Sequence, residues 1–155
     1  MPRLIGVLLC LVFVLGCGGI QVKEPVTPPG CEKSLIYPIK TEWVIGAGVV
    51  KIGIIEVVKN NLWLKQPVMD TIDELASGLK PDETIGYDPT YAGFAISVLA
   101  KLEFLNRYLS GGSLIVAGDV ITQTFTGVDV PIDACDRLIL LRDLGQLKML
   151  IGTIE

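Results

Sequence analysis

Histidine is absent from all 155 residues of the sequence, and this absence removes several classes of active site. Ser-His-Asp and Cys-His catalytic arrangements, imidazole metal sites and the commonest general base all depend on that side chain. Positive charge is also scarce, with 13 Lys and Arg against 17 Asp and Glu. The chain therefore lacks the basic surface that a nucleic-acid backbone requires. We expect no nucleic-acid partner, no metal site and no cofactor.

Cysteine is sparse as well, and two of the four cysteines lie in a strongly apolar N-terminal stretch. Arg3 precedes an apolar run over residues 4–15, which has the length of a secretory signal and is too short to span a membrane. The run ends in Val14-Leu15-Gly16-Cys17, which resembles the lipobox of bacterial lipoproteins. An ordinary cleaved signal and an uncleaved membrane anchor are the alternatives.

The resemblance to bacterial lipoproteins implies that Cys17 is the lipidation site. In that family the signal is cleaved before the cysteine, the thiol carries diacylglycerol, and the new amino group is often acylated. Gly18 follows the cysteine, where Asp would favour retention at the inner membrane, so the resemblance implies an outer-membrane location facing the periplasm. The expected organisation is a signal peptide over 1–16, a lipidated tether over 17–30 and one domain over 31–155.

The tether and the two remaining cysteines define how the domain is attached. Pro25, Pro28 and Pro29 disfavour helix and predict an extended, disordered tether, and its 13 residues after Cys17 reach at most about 45 Å. An even pair of cysteines in an oxidising compartment predicts a disulfide between Cys31 and Cys135, with two free buried thiols as the alternative.

Residues 41–60 are the most ambiguous part of the domain. Their β-branched residues and three glycines disfavour an isolated helix, but the doublets of Val and Ile do not alternate as a strand would. We favour a buried helix in which Gly46 and Gly53 let a neighbour approach closely. A short β-hairpin turning at residues 46–48 is the alternative.

The other helices have clearer signals. Apolar residues recur every three or four positions over 67–79, over 88–109 with Asp88 as the cap, and from an Asp133 cap to Ile151. Residues 114–122 are a weaker helix prediction, and 120–125 have strand-like composition. Leu138, Leu141 and Leu150 are expected to thicken the apolar side of the last helix, and Asp143 is expected in solvent. The fold class is all-α, a bundle of about four to five helices.

The sequence contains no recognisable catalytic motif, and we expect a protein that is not an enzyme. Five glutamates are the candidates for carboxylate catalysis: Glu42, Glu56, Glu74, Glu83 and Glu103. The acidic cluster Asp70, Asp73 and Glu74 has the spacing of a solvated helix face. The aromatic set Tyr91, Phe94 and Phe104 fits core packing better than a ligand site.

Three functions are therefore open. The first is a lipid-anchored envelope protein with a structural or partner-binding role at the membrane surface, through a protein partner or self-association. The second is a periplasmic lipoprotein that binds lipid or another apolar ligand in a cavity between helices. The third is a carboxylate-dependent envelope hydrolase.

Overall fold

The computed structural model describes residues 27–84, 86–105, 107–108, 124–125 and 128–155. These residues form four α-helices: α1 Thr41–Asn60, α2 Lys65–Gly78, α3 Tyr91–Leu102 and α4 Ala134–Gly152. Two 3-10 turns, Leu62–Leu64 and Glu103–Leu105, lead into α2 and continue α3. Within these residues there are two isolated β-bridges and no strand, so the all-α prediction is confirmed.

Helix α1 shows that residues 41–60 are helical and do not form the hairpin. Its glycines and β-branched residues give it little intrinsic helix preference, so packing must supply its stability. Gly46 and Gly53 are buried together with Ile54, Val57 and Val58. The expected burial holds for this side only, because Ile45 and Ile52 on the other side are 61% and 63% exposed.

Helix α2 buries the apolar side that its periodicity predicts, with Val68, Ile72 and Leu75 all in the core. The helix begins at Lys65, two positions before the predicted start at Pro67, because the 3-10 turn Leu62–Leu64 runs directly into it. Short turns of this kind are common at helix N-termini.

Helices α2 and α4 pack in opposite directions, as two polar contacts establish. Lys65, at the start of α2, donates hydrogen bonds to the carbonyl oxygens of Gly152 and Ile154 at 3.0 and 2.6 Å. Further along α2, Asp73 accepts a hydrogen bond from Lys148 at 2.6 Å. Lys65 therefore satisfies carbonyl groups at the C-terminal end of α4, which lack partners within the helix.

Helix α3 begins at Tyr91, and this corrects the prediction that Asp88 caps it. The cap is Thr90, whose hydroxyl accepts a hydrogen bond from Gly93 N at 3.1 Å. The residues before Thr90 stay extended because the proline carbonyl there accepts a hydrogen bond from Ile132 N at 2.8 Å. Tertiary pairing thus overrides a local capping signal.

Helix α4 is capped as predicted, because Asp133 accepts a hydrogen bond from Cys135 N at 2.7 Å. Two of its leucines were expected in the core and are not, since Leu138 is 69% and Leu150 42% exposed. Asp143 was expected in solvent, but its side chain is only 13% exposed. The buried apolar residues of α4 are Ile139, Leu140, Leu147 and Ile151.

Several predictions lie outside the described residues. They concern the signal over 1–16 with Cys17, the tether up to residue 26 and the helix over 114–122. The predicted end of α3 near residue 109 is corrected, because the α-helix ends at Leu102 and is followed by the 3-10 turn Glu103–Leu105. Of the segment over 120–125 that was predicted to be strand-like, Thr124 and Phe125 are described, and both are helical. No helix in the described part of the chain is long and apolar enough to cross a membrane.

The core between the helices includes an aromatic cluster centred on Phe125. This ring is fully buried and stacks on Tyr91, with ring centroids 5.3 Å apart. Trp43 and Phe94 contact the same ring at centroid distances of 5.6 and 6.3 Å. Aromatic pairs at these separations add to the stability that burial alone provides.

Candidate functional site

The disulfide between Cys31 and Cys135 is present, with the two Cα atoms 5.8 Å apart. It fastens the root of the tether to the first turn of α4. Asp133 lies beside the two sulfur atoms, and these three residues are the group of potential metal ligands found among the described residues. Because the sulfurs are joined to each other, they offer no thiolate to a metal.

Asp136 lies one residue beyond the disulfide and is fully buried. Its carboxylate accepts hydrogen bonds from the Ser34 hydroxyl, from Leu35 N at 2.7 Å and from Ile36 N at 3.1 Å. The Tyr91 hydroxyl donates a further hydrogen bond at 2.8 Å. We call Asp136 and these four donors the Asp136 clamp. A buried carboxylate is costly unless hydrogen-bond donors surround it, and the first turn of a helix further favours a negative charge.

The Tyr91 hydroxyl acts as a hydrogen-bond donor within the Asp136 clamp. It donates to Asp136 and accepts a hydrogen bond from Asp133 N at 3.1 Å. Burial raises the pKa of the Tyr91 hydroxyl well above its usual range, and the neighbouring Asp136 acts in the same direction. The hydroxyl therefore stays protonated and serves as a structural donor.

The other aromatic candidates belong to the core. Phe94 is buried, and Phe104 is partly buried and packs against the core cluster. The core-packing interpretation of Tyr91, Phe94 and Phe104 therefore fits their positions.

A cavity of about 100 Å³ lies between all four helices. We call it the inter-helix cavity. Its lining is almost wholly apolar, and every helix contributes at least three residues to it. Examples are Ala47 of α1, Ile72 of α2, Val98 of α3 and Leu147 of α4.

A polar cluster lies at one edge of the inter-helix cavity. The Lys51 ammonium donates to Asp143 at 3.2 Å and to Gln146 at 3.3 Å. The Trp43 indole N–H donates to the second oxygen of Asp143 at 3.0 Å. Arg142 lies 3.5 Å from the same carboxylate. These groups satisfy one another, and they join α1 to α4 across the cavity edge.

The acidic residues that the sequence singled out lie on the surface. Asp73 pairs with Lys148, and Glu74 pairs with Lys101, so both acids link helices instead of gathering around one point. Asp70 accepts a hydrogen bond from Gln66 at 2.7 Å. All five candidate catalytic glutamates are exposed. An exposed carboxylate lacks the burial that tunes a general acid.

Comparison of the chain with protein-family models, with curated proteins and with solved structures finds no match. The contacts of the bundle itself are thus the basis for any functional inference. Two features are not accounted for by folding alone, namely the inter-helix cavity and the apolar side of α1 that faces solvent.

The apolar part of the exposed side of α1 is formed by Val44, Ile45 and Ile52, with the half-buried Gly48 between them, and we call these four residues the α1 face. Their spacing of three, four and seven residues places them on one stripe of the helix. Val44 is 55% exposed, and a Cβ atom added at Gly48 would meet nothing within 4 Å. The glycine therefore leaves a shallow depression between branched side chains. The sequence pattern alone could not show which side of α1 faces solvent, because the helix is apolar around most of its circumference.

Proposed function

We propose that the protein is a lipid-anchored envelope protein that acts by non-enzymatic binding at the membrane surface. The α1 face is the observation that carries this proposal. Contiguous apolar surface on a soluble domain is typical of sites where another protein docks. The resemblance of residues 14–17 to a lipobox supplies the membrane anchor in the proposal.

The position of α1 in the chain supports a role near the membrane. Cys31 is the point where the tether joins the fold, and α1 begins ten residues later, at Thr41. A tether that reaches at most about 45 Å keeps the whole domain close to the bilayer in which the lipid of Cys17 would sit. The α1 face is thereby available to proteins of the same membrane, including a second copy of this chain.

Photo-crosslinking in intact cells tests the proposal. A photo-reactive amino acid in place of Ile45 is expected to give a discrete protein adduct, because the partner covers that side chain. The matched control is the same replacement at Ile96 of α3, which is 68% exposed and lies on another helix. An adduct of twice the chain's mass would identify self-association.

A second change makes the crosslinking result decisive. Ile52→Asp places a charge on the α1 face and should reduce the Ile45 adduct at least tenfold, because a desolvated charge opposes docking by more than about 1.4 kcal/mol. Ile52 is mostly exposed, so the fold should tolerate the charge. Equal adducts at Ile45 and Ile96, or no adduct at Ile45, would refute docking through the α1 face.

The two other candidate functions gain less support. A lipid carrier needs a pocket of roughly 300–1,000 Å³ or more, and the inter-helix cavity holds about 100 Å³. A carboxylate-dependent hydrolase needs carboxyl groups whose surroundings give them different pKa values. The five candidate glutamates are all exposed to solvent. Partner binding therefore remains the proposal, and the absence of enzymatic activity stays a prediction.

A further inference from the structure

We infer that the inter-helix cavity is a binding site for one small, compact, uncharged apolar molecule of about the size of benzene. This inference goes beyond partner binding at the α1 face and does not depend on it. Three properties of the cavity support the inference: the volume, the apolar walls, and polar groups at the edge that already bond to one another.

The volume defines the size class of the ligand. The cavity holds about 100 Å³. For comparison, an enclosed engineered apolar cavity of about 150 Å³ in another protein binds benzene or xenon, whereas the inter-helix cavity is partly open to solvent. A lipid chain or a drug-sized molecule is too large for this space. The ligand class is therefore a molecule of a few carbon atoms or a single small ring.

Two small residues of α1 leave room in part of the cavity wall. Gly46 and Ala47 of α1 line the space, together with larger residues such as Ile72, Leu75 and Leu147 from α2 and α4. A larger residue at position 47 would occupy volume that is now empty. Empty space in a core costs stability because the atoms that line it lose van der Waals partners, so a ligand that fills it regains those contacts.

The walls offer almost no hydrogen-bonding partner to water or to a polar ligand. A buried water needs two to four polar partners, and the lining is almost wholly apolar. Lys51 and Asp143 reach the cavity edge, but their charged groups bond to each other, to Gln146 and to the Trp43 indole. Among the described residues, the buried side-chain polar atom without a partner is Arg137 Nε, and Arg137 is not part of the lining.

The test uses the mature chain from residue 17 with Cys17→Ser, exported so that the disulfide forms and free of lipid and detergent. Toluene and phenol are the probes, because they have the same ring and nearly the same size, and toluene carries a methyl group where phenol carries a hydroxyl group. Toluene is expected to cause saturable NMR shifts at the amides of Ala47, Ile72 and Val98. Phenol should bind roughly tenfold more weakly, because its hydroxyl would be buried without a hydrogen bond.

A pair of identical substitutions locates the site. Ala47→Leu fills the cavity and should abolish the toluene shifts, whereas Ala100→Leu, at an exposed position of α3 outside the lining, should leave them unchanged. If Ala47→Leu fails to fold, Val98→Ile adds one methyl group to the lining and should weaken toluene binding about threefold.

Three results would overturn the inference. They are the absence of saturable toluene binding, binding of phenol as tight as that of toluene, and unchanged toluene binding in the folded cavity-filling variant. None of them bears on the α1 face, because Ile45 and Ile52 do not line the cavity. Failure of the cavity inference and failure of the partner-binding proposal are therefore separable.

Discussion

Asp136→Asn is expected to lower the free energy of unfolding by roughly 3 to 5 kcal/mol. The carboxylate accepts hydrogen bonds from Ser34, Leu35, Ile36 and Tyr91, and it is fully buried. An amide has one acceptor oxygen and brings its own N–H donors against the donors already there. At least two buried donors then lose their partner, and each costs about 1 to 3 kcal/mol.

Urea unfolding of the two proteins at neutral pH measures this effect. The matched control is Asp129→Asn, because Asp129 is exposed and the same substitution there should change the free energy by less than about 0.5 kcal/mol. A loss of under 1 kcal/mol for Asp136→Asn would mean that the Asp136 clamp does not hold the segment before α1.

Replacement of both disulfide cysteines, Cys31→Ser with Cys135→Ser, should destabilise the domain by roughly 4 to 5 kcal/mol in the chain-entropy account. The bond joins residues separated by 104 positions, so it restricts the unfolded chain strongly. Calorimetric work assigns part of the stabilisation by disulfides to enthalpy. This changes the physical explanation of the stabilisation and leaves its sign the same.

Urea unfolding with and without reductant separates the disulfide from other consequences of the substitution. Reductant should lower the midpoint of the Cys17→Ser protein and leave that of the Cys31→Ser/Cys135→Ser variant in the same background unchanged. An unchanged midpoint on verified reduction would contradict the stabilising role of the bond.

The disulfide and the Asp136 clamp should also be coupled. The bond brings the segment that contains Ser34 to Ile36 to the start of α4, where Asp136 accepts its hydrogen bonds. Without the bond, that segment is free to leave the carboxylate. The effect of Asp136→Asn should therefore be smaller in the variant without the disulfide, as neighbouring sites are not additive.

The sequence was sufficient for those parts of the fold that depend on short-range pattern or on simple chemistry. Apolar residues at steps of three and four locate α2, α3 and α4, and the expected export signal predicts an oxidising compartment in which the Cys31–Cys135 pair forms. The start of α3 could not be predicted, because the backbone before Thr90 pairs with a segment about 40 residues further along the chain.

The functional features depend on contacts that no local pattern encodes. The sequence places Asp136 only in the first turn of a predicted helix, and its backbone and hydroxyl donors at Ser34 to Ile36 lie about 100 residues earlier in the chain. The inter-helix cavity is space that the side chains of four packed helices leave unfilled. Its presence depends on how the helices pack, which residue types alone do not determine. Leu138 carries the same pattern as a core leucine and yet faces solvent.

The proposal that Cys17 carries a lipid is tested most directly by the intact mass of the protein purified from cell membranes without reductant. The expected protein begins at Cys17 and is heavier than its polypeptide by a diacylglycerol group, with or without a further acyl chain, and lighter by the two hydrogens of the Cys31–Cys135 disulfide. The same preparation from a Cys17→Ser variant should carry no lipid. A mass that retains residues 1–16, or an unmodified Cys17, would contradict the proposal of a lipid-anchored binding protein.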